Sequence, residues 1–176
     1  MDPRPDLLQQ RFGRPQQDCG ALRLVPKGGR GMATADRRAN VVWRGSLARG
    51  SGSFDLASSE AVRDLPVTWA SRTERPDGKT SPEELIAAAH ASCYAMAFSG
   101  VLAEMGNEPE ELNISAVCTF DADQVKVTKM VLDVRGRVPG LDAEGFQDAA
   151  EQADQGCPVS NALRGNVDIQ LNASLE

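Results

Sequence analysis

Hydrophobic and polar positions divide this chain into unlike stretches. The most distinctive runs from Ile86 to Ala103, which carries no charged residue and is rich in Ala. Apolar side chains fall on every side of a 3.6-residue repeat there, so the stretch predicts a buried helix. Its start is marked by Ser81-Pro82-Glu83-Glu84: an N-cap Ser, a Pro at the first helical position and a Glu at the third form a capping box. Gly106 predicts its end, just after Met105. The stretch is long enough to span a bilayer. His90, Ser92, Tyr94, Ser99 and many small residues argue for a core helix instead, and no other segment resembles a span.

Strict alternation appears after the helix. Leu112, Ile114, Ala116, Cys118 and Phe120 share one face of a strand, and Val125–Val138 reads as a second strand with looser alternation. Asp121-Ala122-Asp123 is a turn between them, so the two predict a hairpin. Asp142 caps a further helix ending at Gly156, Pro158 opens a short one reaching Leu163, and Val167, Ile169 and Leu171 alternate as a last strand. Before the long helix, Asn40–Trp43 reads as a strand. Gly50-Ser51-Gly52-Ser53 reads as a turn and Phe54–Leu56 as a returning strand. Leu65–Trp69 is another short strand candidate, and Arg72 to Thr80 is polar, with Pro76-Asp77-Gly78 as turn chemistry. The elements predict one α+β domain over residues 36–176.

Composition sharpens this. A chain of 176 residues can bury a core without disulfide staples. The net charge of −6 is uneven: residues 1–31 hold six Lys/Arg and three Asp, and the rest carries −9. An acidic body argues against nucleic-acid backbone binding. The basic segment lacks the apolar core of a secretory signal, and residues 1–35 are expected to be a disordered tail, with Met32 as a second candidate start. A single histidine excludes a His-Glu-x-x-His zinc protease.

Four cysteines remain as candidate chemistry. Cys19 falls in the tail and reads as an incidental thiol. Cys118 shares its strand face with apolar neighbours and reads as a small hydrophobe. Cys93, inside the Ala-rich helix, reads as packing or as chemistry. Cys157 stands between Gly156 and Pro158 and so takes an N-cap, where free N–H groups and the helix dipole favour a thiolate. Cys93 and Cys157 are 64 residues apart, so they form no Cys-x-x-Cys motif.

Lys79-Thr80-Ser81-Pro82-Glu83-Glu84-Leu85-Ile86-Ala87-Ala88-Ala89-His90-Ala91-Ser92-Cys93, taken with Gly156-Cys157-Pro158-Val159-Ser160-Asn161-Ala162-Leu163, resembles the OsmC/Ohr family of osmotically inducible and organic hydroperoxide resistance proteins. The His-Ala-Ser-Cys and Cys-Pro-Val-Ser wording is closer to the OsmC branch. The resemblance spans roughly residues 38–174 in element order. It implies a long buried central helix wrapped by antiparallel sheets in an intertwined homodimer. It also implies a cytoplasmic thiol peroxidase that reduces organic hydroperoxides, and hydrogen peroxide less selectively, without cofactor or metal. A dithiol reductant would restore it, a lipoyl protein being one candidate. By the same resemblance Cys93 is the peroxidatic and Cys157 the resolving cysteine, Glu83 the catalytic glutamate, and Arg72 the site arginine, with Arg75 as the other candidate.

The residue chemistry suits these roles. A guanidinium lowers the pKa of a nearby thiol, a carboxylate can hold the guanidinium by a bidentate pair, and a second thiol captures the sulfenic acid before over-oxidation. Glu83 and Cys93 lie ten residues apart on one helix, about 15 Å along its axis. If both serve one site, they come from different chains. Tyr94, Phe98 and Trp69 are candidates for shaping the substrate pocket. Other readings of the same residues are a non-catalytic binding or redox-sensing protein, a zinc site of His90, Cys93 and Cys157, and a Cys–His hydrolase.

Overall fold

Ser81 begins the central helix as expected. The computed structural model describes residues 34–176 and gives α2 the span Pro82–Glu104, with the Ser81 hydroxyl accepting from the Glu84 N–H. Only half of the expected capping box forms, because the Glu84 carboxylate accepts from the Thr80 hydroxyl at 2.6 Å instead. Met105 is the C-cap, and Gly106 takes φ +82°, a conformation that favours Gly. The readings of Cys19, of Met32 and of nearly all the proposed tail lie outside the described residues.

Burial of α2 departs from expectation. His90, Tyr94, Ala97, Phe98, Val101 and Leu102 form one buried stripe, while Met96 on the opposite side is 70% exposed. An apolar helix is therefore covered on one face only by its own chain. By length and composition α2 also meets the measure of a membrane span, but its buried stripe packs on strand β4 (Glu111–Asp121) and helix α3 (Ala143–Gly156).

The core lies between these elements and strand β5 (Lys126–Arg137). Phe98 meets Phe146 edge to face at 5.0 Å, Tyr94 packs on Phe98, and the Tyr94 hydroxyl donates to the Ala150 carbonyl at 2.9 Å. Tyr94 and Phe98 are thus core residues rather than pocket walls. Truncating a buried aromatic side chain costs about 3–5 kcal/mol. Phe98→Ala is accordingly expected to lower the urea midpoint sharply with an unchanged slope, and a wild-type midpoint would place Phe98 outside the cooperative core.

β4 and β5 form the expected antiparallel hairpin, from Glu111↔Arg137 to Asp121↔Lys126, with a bulge at Thr119/Phe120. The last strand, β6 (Asp168–Leu175), differs from expectation: it runs parallel to β5, from Lys129↔Asp168 to Gly136↔Leu175. Between them lie α3 and α4 (Pro158–Leu163), a helical crossover of the kind that parallel pairing needs. The second sheet is therefore mixed, not antiparallel.

The first sheet, in order β1-β2-β3, is antiparallel and comprises β1 (Asn40–Arg44), β2 (Ser51–Asp55) and β3 (Leu65–Val67). Its first turn lies earlier than expected, over residues 45–50, and β2 already begins at Ser51. Gly45 has φ +88°, and a Cβ on Gly50 would stand 2.4 Å from the Ser46 carbonyl oxygen, so these two glycines fix the turn. The three strands pack chiefly on one another. All five residues of β1 are exposed, Val41 to 65%.

After β3 the chain forms a helix where the residue pattern predicts strand and loop: α1, Trp69–Thr73. Thr68 and Ser71 cap it reciprocally, each side chain accepting from the other's backbone N–H at 3.0 and 3.1 Å. The Ser71 hydroxyl also reaches the Thr80 carbonyl at 3.2 Å. It thereby ties α1 to the start of α2.

Candidate functional site

The four expected site residues fall into two pairs. The first is Arg72 with Glu83. α1 carries Arg72 toward the first turn of α2, where Glu83 is the second helical residue and only 7% exposed. Arg72 Nε and Nη2 both donate to Glu83 Oε1, at 2.9 and 2.6 Å. The expected fork-to-fork pair is thus a two-donor clamp on one oxygen. Glu83 Oε2 is buried with no hydrogen-bond partner among the described residues.

Aromatic faces hold the guanidinium from the other side. Its carbon lies 3.9 Å from the Phe120 ring centroid and 5.6 Å from that of Trp69, and those two rings meet edge to face. Such contacts are attractive because the cation sits on the negative face of the ring. Arg75, the other candidate, is exposed. Arg72, Glu83, Lys79, Ala116, Cys118 and Phe120 are among the walls of a cleft of about 460 Å³. Cys118 is thus on the face the alternation placed it on, but it also lines this cleft. Burial and the Glu83 charge push its thiol above the ordinary range.

The second pair is Cys93 with Cys157, both free thiols. Cys93 is half-buried on α2. Cys157 is fully buried and is at once the C-cap of α3 and the N-cap of α4, with Pro158 at the first position as expected. Cys93 packs against the core cluster that holds Cys157, and each thiol acts on the other's ionisation, in opposite directions. Burial raises the Cys157 thiol, but the His90 ring, the Ser160 N–H and hydroxyl, and the Cys93 thiol outweigh it and bring it from 9.0 down to about 6. The sulfur makes no regular capping hydrogen bond, so the Ser160 N–H acts on it as a nearby dipole. Burial raises the Cys93 thiol; the Val159 backbone lowers it, and the Cys157 sulfur, as partner and as charge, raises it again. Within one chain Cys157 is the more acidic thiol of the pair.

His90 completes this end of the site. It is fully buried, and its Nε2 lies 2.8 Å from Ser160 Oγ. Nδ1 has no partner among the described residues. The zinc reading needed His90, Cys93 and Cys157 to converge as ligands; among the described residues no three His, Cys, Asp or Glu side chains do. Ser160 was missed in the sequence. The signal was its place three residues after Cys157, matching His90 three before Cys93.

Neither cysteine of this pair lines the Arg72–Glu83 cleft. Along α2 the ten residues from Glu83 to Cys93 measure about 15 Å and turn the side chains to different faces. The fold joins the members of each pair and keeps the pairs apart.

Comparison with known proteins adds the following. A family model described as OsmC-like protein matches residues 75–172, which include Glu83, Cys93 and Cys157. The chain is 35% identical over 144 residues to the peroxiredoxin OsmC of Escherichia coli strain K12, covering 80% of this chain and 99% of that protein. It is 34% identical over 98 residues to an organic hydroperoxide resistance protein of Xanthomonas axonopodis pv. citri, covering 52% of this chain and 65% of the relative. Among solved structures it is similar to the organic hydroperoxide resistance protein OhrB of Bacillus subtilis, with a TM-score of 0.57 and 28% identity over 78% of this chain and 98% of that one. By motif, by length of match and by fold, the chain belongs to the OsmC-like protein family.

Proposed function

We propose that this protein detoxifies organic hydroperoxides as a cysteine peroxidase, with Cys93 as the attacking thiol and Cys157 as the resolving one. The observation that carries this reading is the pair of free thiols that α2 and the α3–α4 joint bring to one core cluster. The names of the relatives, peroxiredoxin OsmC and organic hydroperoxide resistance protein, point the same way. The Cys93 thiolate attacks the terminal peroxide oxygen, the O–O bond breaks, and the alkoxide leaves as alcohol after gaining a proton. Cys93 becomes a sulfenic acid. The Cys157 sulfur then displaces hydroxide from it, giving a disulfide and water. A dithiol reductant returns both cysteines to thiols. A disulfide that forms and is reduced on every cycle suits a reducing compartment.

Cys93 needs help to ionise, because within its own chain burial and the Cys157 sulfur push its thiol up. Arg72 is suited to supply that help but sits with Glu83 at the far end of the same helical segment. A second chain resolves the conflict. Two α2 helices packed antiparallel about a two-fold axis bring the Arg72–Glu83 pair of one subunit to Cys93 of the other. The exposed Met96 face of α2 and the exposed strand β1 are apolar surface that such a dimer would cover. The folded unit is then residues 36–176 in duplicate, with two composite sites.

The test is a single-turnover reaction. One equivalent of cumene hydroperoxide is expected to yield a Cys93–Cys157 disulfide, detected by peptide mapping, and one equivalent of alcohol. A protein that leaves the hydroperoxide intact, with both thiols still alkylatable, would be a binding or sensing relative instead.

A further inference from the structure

The joint that carries Cys157 is closed by side chains more than by the backbone. α3 ends at Gly156, and Cys157 follows it in extended conformation, with φ −74° and ψ 118°. Many helices end instead on a left-handed glycine, whose turn lets backbone N–H groups cover the last carbonyls. Here Cys157 brings back its own N–H, to the Asp154 carbonyl at 3.3 Å. Side chains at α4 add the rest. Asn161 Nδ2 donates to the Gln155 carbonyl at 3.1 Å. Arg164 Nη2 donates to the Asp154 carbonyl at 3.2 Å and to Asp154 Oδ2 at 2.7 Å. α3 has no basic residue in its own last turn, so Arg164 is also the cation that faces the negative end of its dipole.

The carbonyl that receives Arg164 is the one that receives the Cys157 N–H. One oxygen therefore links the cation to the residue bearing the second thiol. One turn earlier on α3, the Ala150 carbonyl accepts from the Tyr94 hydroxyl at 2.9 Å, and Tyr94 is the neighbour of Cys93 on α2. Successive turns of α3 are thus bonded to the helix of one thiol and to the residue of the other. Asp154 is only 8% exposed and its Oδ1 has no partner among the described residues, so Arg164 is the charge that balances it. An ion pair taken out of water adds little stability over an apolar contact of the same size. What this one adds is a fixed geometry at the joint.

We propose that Arg164 is a positioning residue for disulfide formation: it caps the open end of α3 from α4 and so holds Cys157 where its sulfur captures the sulfenic acid on Cys93. The proposal rests on the peroxidase reading above. In the captured step the Cys157 thiolate attacks the Cys93 sulfur, the S–S bond forms as the S–O bond breaks, and the departing hydroxide takes a proton from solvent to leave as water. The competing step is attack on a second hydroperoxide, which turns the sulfenic acid into sulfinic acid and releases another alcohol. Which step wins depends on how closely Cys157 is held, since placement sets the effective concentration of an internal reactant. Arg164 touches neither sulfur and acts only through the joint.

The experiment separates the two chemical steps. Wild type, Arg164→Ala and Arg164→Lys each receive one equivalent of cumene hydroperoxide. Samples are quenched over time with dimedone, which traps the sulfenic acid, and adduct, disulfide and sulfinic acid are counted by mass spectrometry. Sulfenic acid formation on Cys93 is expected to stay within about threefold of wild type in both variants, whereas conversion to disulfide in Arg164→Ala slows about tenfold. Its sulfinic share under excess hydroperoxide rises accordingly. Equilibration with oxidised and reduced dithiothreitol is expected to place the Arg164→Ala disulfide about 30 mV higher, the equivalent of that tenfold loss. Arg164→Lys is expected to resolve within about threefold of wild type, because a single nitrogen of Arg164 serves both acceptors and an ammonium can do the same. A wild-type resolution rate and potential in Arg164→Ala, even with a lowered urea midpoint, overturns the proposal, and so does equal slowing of both steps. Wild-type protein that forms no sulfenic acid on Cys93 overturns the peroxidase reading itself, a different result. Should Arg164→Ala fold poorly because Asp154 is left unpaired, the double variant Asp154→Asn/Arg164→Ala removes both charges. It must show the same tenfold deficit, and wild-type resolution there also overturns the proposal.

Discussion

Cys93→Ser is expected to abolish hydroperoxide turnover, lowering kcat/KM by at least about a thousandfold, because a serine hydroxyl at the same place is neither ionised nor a comparable nucleophile toward peroxide oxygen. Cys157→Ser is expected to behave differently. It leaves the nucleophile in place, so one equivalent of hydroperoxide is still consumed in the first turnover. Without a resolving thiol the reaction stops at the sulfenic acid, and excess oxidant carries Cys93 on to sulfinic acid. The check is stopped-flow consumption of cumene hydroperoxide with product mass analysis. The assignment of roles is reversed if Cys157→Ser loses the first turnover and Cys93→Ser keeps it. That reversal is a real alternative outcome, because within one chain Cys157 is the more acidic thiol of the pair.

The second large effect is a recovery of function. Cys93→Ser and Arg72→Ala proteins are each expected to be inactive alone. If each site takes its cysteine from one subunit and its arginine from the other, a mixed dimer has one intact site and one doubly defective site. Equal amounts refolded together form mixed dimers in about half of all pairings, so activity returns to about a quarter of the wild-type value. Sites built within one chain give no recovery at any ratio. Purified mixed dimers carrying two different affinity tags make the comparison direct.

Much of this architecture is legible in the sequence because local signals agree with tertiary ones. Ser81, Pro82 and Gly106 bracket α2, and Gly156-Cys157-Pro158 marks the joint of α3 and α4 through one residue's refusal to continue a helix and another's fitness to start one. α1 was illegible because it has only five residues and begins beside the apolar run Leu65–Val67. Its Thr68–Ser71 capping pair is a weak signal next to a strand-like pattern. The parallel direction of β6 is likewise absent from its alternation, which is the same for either direction; the helical crossover decides it. At the site, residue types announced the thiols and the acid. The single-oxygen clamp on Glu83, the stacking on Phe120 and the meeting of His90 with Ser160 depend on elements up to 70 residues apart in sequence.

The position of Glu83 has a consequence for how its substitutions will read. In the first turn of α2 its carboxylate serves two cations of different kinds: the Arg72 guanidinium and the partial positive charge at the amino end of a 23-residue helix. Removing the charge therefore loosens the arginine and weakens the start of the helix that carries the thiol. A defect in Glu83→Gln mixes those two losses, while Arg72→Ala separates them. At this residue the demands of chemistry and of folding are met by one charge, and neither can be relaxed without touching the other.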